Sequence, residues 1–167
     1  MNLHSFADAA RSIRWACLGL GHVHSLADSD ILLRSWRYAE IEVCDGELLS
    51  IHARWWPRVA SQWDAWRDSY MRTLPADVCR VYYAFPIRAP GFMTVSYAHS
   101  GPRTQYKTLF RGVQAVDEIA AIWNAQAIVC QATNERLNER LLNRLGYVRH
   151  ALSLGNNHFI KRLGNRY

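Results

Sequence analysis

The stretch Ala127-Ile-Val-Cys-Gln-Ala-Thr133, then Asn134-Glu-Arg-Leu-Asn-Glu-Arg-Leu-Leu-Asn-Arg-Leu145, then Gly146-Tyr147, reads as strand, capped helix and glycine stop. The first piece is a short apolar run of strand length. Thr133 or Asn134 can accept bonds from the first free N–H groups of the helix, and Glu135 in the first turn suits its positive end. Leu137, Leu141, Leu142 and Leu145 form one stripe, and Gly146 allows the left-handed residue that ends a helix. Tyr147 opens a strand. Residues 147–154 and 158–163 alternate around Gly155-Asn-Asn157, which predicts a closing hairpin.

Upstream, residues 106–124 read as a helix with Phe110, Val113, Val116, Ile119, Ala120 and Trp123 on one side. Residues 78–85 and 92–99 are β-rich runs joined by Pro86-Ile-Arg-Ala-Pro-Gly91. Asp45-Gly46 between two alternating runs predicts a hairpin over 39–53. Residues 54–72 predict an amphipathic helix whose Trp55, Trp56, Val59, Trp63, Trp66 and Tyr70 recur every three or four positions. Residues 6–20 predict another helix, with Ser25 or Asp28 capping a short one through Trp36. Strand–helix–strand units within a mostly antiparallel series make an α+β fold, a mixed sheet flanked by helices, in one domain over residues 1–167.

Half of the residues are apolar, enough for a sizeable core. No run reaches the roughly 18 apolar residues of a membrane span, and no secretory leader is evident. Cys17, Cys44, Cys79 and Cys130 form no close pair, which suits reduced, buried thiols and a cytoplasmic setting. The formal charge is +6, and Lys107 and Lys161 are the lysines among 20 basic residues. Arginine suits planar anions and aromatic faces, and a modest positive charge favours encounter with anions, but an arginine preference also follows from genome base composition, so nucleic acid is a possible partner and not the favoured one.

The 127–163 stretch resembles the C-terminal half of the GNAT family of N-acetyltransferases. There a strand leads to a helix that opens with asparagine and ends in Leu-Gly-aromatic, here Asn134 and Leu145-Gly146-Tyr147, followed by two strands. The resemblance extends to about residue 78. It implies a GNAT-like sheet that binds acetyl-CoA, with Asn134 on the pantetheine arm. It also implies that Arg111 and Gly112 begin the loop whose backbone amides meet the pyrophosphate. His99, at the end of a strand, is the expected base for the acceptor amine, because residues 78–99 contain no glutamate. The departures are specific. Gln114 and Val116 stand where the loop needs small residues. Leu141 and Leu142 stand where the family often has a tyrosine acid.

Three functions follow as expectations. One is an acyl-CoA-dependent N-acyltransferase. Another is a non-catalytic GNAT-like structural or interaction protein, such as a phage virion component, which would place the chain in a virion. The third is a nucleic-acid-binding module using the Trp/Arg-rich helix 54–72, which is also the expected protein-partner surface. Smaller constellations remain. His22-Val-His24 with Asp28 or Asp30 is a weak metal pattern, and no metal ligand is assigned. Cys44 and His52 could face each other across the hairpin. Glu40 and Glu42 share a strand face, as paired carboxylates or as a solvated edge. No P-loop, Gly-x-Ser-x-Gly or zinc-finger spacing occurs.

Overall fold

A computed structural model describes residues 21–27, 29–56, 77–101, 103–132, 138–150 and 157–164. The helices expected over 6–20 and through 57–72, and Asn134, lie outside these residues. Among the described residues the architecture is α+β. One eight-stranded sheet runs in the order β1-β3-β2-β4-β5-β6-β8-β7. The strands are β1 (His22–Val23), β2 (Tyr38–Cys44), β3 (Glu47–Ala53), β4 (Val78–Ala84), β5 (Phe92–Ser100), β6 (Ala127–Gln131), β7 (Val148–Arg149) and β8 (His158–Arg162). The helices are α1 (Asp30–Leu33), α2 (Tyr106–Ile122) and α3 (Glu139–Arg144). Every pairing is antiparallel except β5 with β6, which α2 connects. A parallel pair needs such a crossover, whereas the antiparallel β2 and β3 close through the two-residue turn Asp45-Gly46.

The β2–β3 hairpin forms as expected. Asp45 and Gly46 have φ of 53° and 86°, both in the left-handed region that a two-residue turn requires. Gly146, at φ 86°, ends α3, and the Tyr147 N–H donates to the Leu142 carbonyl across the stop. The N-cap of the described helix is Asn138, whose side chain accepts the Leu141 N–H at 2.9 Å. Neither Thr133 nor Asn134 is adjacent to it in sequence. At α1 the N-cap is Ser29, with no side-chain bond, rather than Ser25 or Asp28.

The helix α2 carries Thr108, Gly112, Ala115, Val116, Ile119 and Ala120 on its buried face, a spacing of three and four. That face lies on the odd-numbered residues of β2 and β4, so Ile41, Val43, Cys79 and Val81 share its core. Each large aliphatic chain buried there contributes about 1.5–3 kcal/mol relative to exposure. Trp123 closes one end: its ring stacks on Phe85 with centroids 4.2 Å apart, and its Nε1–H donates to the Leu33 carbonyl at 2.8 Å. No helix among the described residues is long and apolar enough to cross a membrane.

Candidate functional site

β5 and β6 pair only from Phe92 with Ala127 to Val95 with Cys130, although β5 continues to Ser100. The cause of the parting lies on the other side of β5. There Val95 pairs with Tyr83 and Tyr97 with Tyr82, so Ser96 is an extra residue without a counterpart. Such a bulge bends its strand and raises the local twist. The Ser96 hydroxyl stabilises it by donating to the Tyr82 carbonyl at 3.3 Å.

Beneath the parting strands lies a cleft of about 60 Å³. Its walls are residues 95–98 of β5, Leu109 and Val113 of α2, and Leu142 and Leu145 at α3. Cys130, Gln131 and Tyr147 supply its polar groups. A volume of this kind has room for a few waters. Burial pushes the Cys130 thiol up to about 12 and raises the Tyr147 phenol, with Cys130 and Asp117 adding to the latter. Both groups therefore stay protonated at neutral pH, and Cys130 is a poor nucleophile. Behind the cleft, Lys161 donates to Asp117 at 2.6 Å and lies 5.7 Å above the Tyr147 ring. Sequence reasoning missed Tyr147 and Cys130 as cleft residues, because nothing in a single strand or helix pattern reports that two paired strands separate.

His99 sits opposite Arg80 on the sheet face turned away from α2. Its ring stacks on Tyr97, a cleft residue, with centroids 6.4 Å apart. The same face carries the two carboxylates noted in sequence. They are neither solvated nor at an edge, because β2 lies between β3 and β4. Glu40 and Glu42 are buried. Arg54 donates to Glu40 at 3.1 Å, and Arg80 donates Nε–H and Nη2–H to one oxygen of Glu42 at 3.2 and 3.1 Å. Arg80 Nε also lies 3.6 Å from Glu40. Burial works against the Arg80 charge, yet Glu42 and then Glu40 raise its pKa overall. Next along are Ser50 and His52, joined at 2.8 Å, and the His22 ring, 5.8 Å from that of His52. His52 faces Glu40 and Cys44 faces Glu47, so the Cys–His pair does not form. Among the described residues no group of histidine, cysteine and carboxylate side chains could hold a metal ion.

Arg111 and Gly112 do not begin a loop. They lie in the second turn of α2, where backbone amides are engaged within the helix. Arg111 donates to Glu118 at 2.9 Å. Gly112 is buried against the sheet. A Cβ there would lie 3.4 Å from Val81 Cγ2, 3.7 Å from Cys79 Sγ and 3.9 Å from Val43 Cγ2, all ordinary contacts. Its smallness therefore serves helix–sheet packing. Gly112→Ala is expected to raise stability by about 0.5–1 kcal/mol, the helix-propensity difference. A urea unfolding midpoint that falls on this substitution would contradict the packing account.

The amides expected to meet an anion thus move to the start of α2, after its N-cap Gln105. There the Gln105 N–H donates to Asp77 Oδ1 at 2.9 Å. The Asp77 side chain is 5% exposed as part of its residue, so this is an internal anion at the helix N-terminus. Asn134 lies outside the described residues. No family model matches the chain, and no curated protein matches it.

Proposed function

We propose that the chain is a GNAT-like scaffold that acts by protein contact and not by acyl transfer. One observation carries this reading: the Asp77 carboxylate already sits at the N-terminus of α2, where the pyrophosphate of acetyl-CoA would need free amides. A second negative charge there meets repulsion instead of a cradle. Residues 111–116, the other place for such a cradle, are helix interior. The group does not fit this helix end, and no step of acyl transfer is derived through it. The contact surface is the head of the Trp/Arg-rich stretch. Trp55 and Trp56 are 67% and 80% exposed beside Arg54, and exposed tryptophans of this kind are common anchors of protein interfaces.

The second reading is an N-acyltransferase using acetyl-CoA, favoured by the apolar cleft between β5 and β6. In it His99 would take a proton from the acceptor amine through water, and Asn134 would bond the pantetheine arm. Titration calorimetry separates the two. With acetyl-CoA at millimolar concentration, no heat of binding is expected. Saturable binding would overturn the contact reading and leave the transferase reading standing.

A further inference from the structure

The sheet ends in β7, and α3 packs beside it. Along the outer side of α3 runs an open groove of about 710 Å³, lined by Asn138, Glu139, Arg140, Asn143 and Arg144. All five residues are exposed. The leucines of this segment turn the other way, and Leu142 and Leu145 are buried in the core.

The charges of the groove are unequal. Glu139 is already matched, because Arg149 of β7 donates to it. Arg140 and Arg144 engage no carboxylate among the described residues. They stand four positions apart, so both lie on one helix face about one turn from each other. The groove thus presents two unmatched positive charges. Each guanidinium can bind a carboxylate through a planar pair of N–H groups. Asn143 lines the same groove, and its carboxamide can both donate to and accept from a peptide backbone. The Asn138 oxygen accepts the Leu141 N–H at 2.9 Å, and its NH2 group remains a donor.

Two features select among anionic partners. No aromatic ring among the described residues lines the groove, so it lacks the platform on which single-stranded bases stack. The Glu139 carboxylate in its wall opposes a chain of phosphates but can accept peptide N–H groups. We infer that this groove docks an acidic peptide segment of a partner protein, with two of its carboxylates on Arg140 and Arg144. This surface is separate from Trp55 and Trp56, which follow β3 near the other end of the sheet order. The inference rests on the contact reading and adds the charge of the partner. Acetyl-CoA calorimetry bears on that reading and peptide binding on the groove, so either can fail alone.

Fluorescence anisotropy of fluorescein-labelled deca-glutamate in low salt tests the groove. Saturable binding is expected. Arg140→Gln combined with Arg144→Gln is expected to weaken it about tenfold, as for two exposed ion pairs. Both side chains are exposed, so the fold should survive. Arg140→Gln alone, expected to weaken binding about threefold, serves if the double variant does not fold. The control, Arg88→Gln with Arg103→Gln, removes two exposed arginines elsewhere at the same net charge. Control binding within about twofold of wild type supports the groove. Equal weakening in both double variants means that overall charge attracts the peptide, and the inference is overturned. Absence of binding to deca-glutamate also overturns it. So does tighter binding of labelled deca-thymidylate through the same two arginines, which would make the surface one for nucleic acid.

Discussion

Arg80→Met is expected to lower stability by about 3 kcal/mol, the lower end of the range for removing one member of a buried ion pair. Arg80 touches both Glu40 and Glu42. Its Nε–H and Nη2–H converge on one oxygen of Glu42, whose side chain is 2% exposed. Glu40 keeps Arg54 when Arg80 is lost, whereas Glu42 loses the fork that two N–H groups provide. Arg80→Lys is expected to fall in between, because an ammonium keeps the charge but not the fork. Urea unfolding of the two variants, and of Arg80→Met combined with Glu42→Leu, measures the coupling. If the double variant is as unstable as the sum of the singles, the two residues do not act as a pair.

Alkaline pH should destabilise the protein well before any chemical damage. Burial, followed by Asp77, pushes the Cys79 thiol from 9.0 up to about 12. Burial alone takes Cys130 to about 12, and burial with Asp45 takes Cys44 to about 11. The Tyr83 phenol is raised from 10.0 by burial as well. In each case the neutral form is favoured in the fold. Below pH 9 both folded and unfolded chains keep these protons, so the stabilisation is fully present. Above pH 9 the unfolded chain releases protons that the folded chain retains. It then binds fewer protons than the native state, and stability falls as pH rises. The decline should run from about pH 9 through the folded values near 12. A urea midpoint followed from pH 7 to 12 checks this, and a midpoint level to pH 11 would rule it out. Cys79→Ala should make the slope shallower by one proton over that window.

The local elements were legible because their signals are local. Asp45-Gly46 names its own turn, since few residues accept positive φ at both central positions. Gly146 marks the end of α3 for the same reason. The periodicity of residues 106–122 identifies the buried face of α2, and the short apolar run at 127–131 identifies β6. The α+β class follows from their order.

The candidate site was not legible in the same way. Arg111-Gly112 matched the start of a loop pattern, whereas the periodicity of residues 106–124 already set them inside a helix, and α2 does contain them, with the Asp77 side chain, 28 residues upstream, accepting the Gln105 N–H at its entrance. Glu40 and Glu42 read equally well as a solvated face or as paired carboxylates. Only the arrival of β4 beside β2, with Arg80 across from Glu42, made them buried partners of arginine. His99 could be placed at a strand end, but its place opposite Arg80 comes from the pairing of β4 with β5.

By itself, then, the sequence determined where the chain turns, which faces are apolar and that the strands form one mixed sheet flanked by helices. These are properties of neighbours within a few residues, set by backbone sterics and periodicity. The tertiary structure alone decided which charges pair, where β5 leaves β6, and that a carboxylate closes the helix end an anion would need. Those outcomes rest on contacts between residues tens of positions apart, and the free energy of such a contact depends on burial that exists only once the sheet has formed.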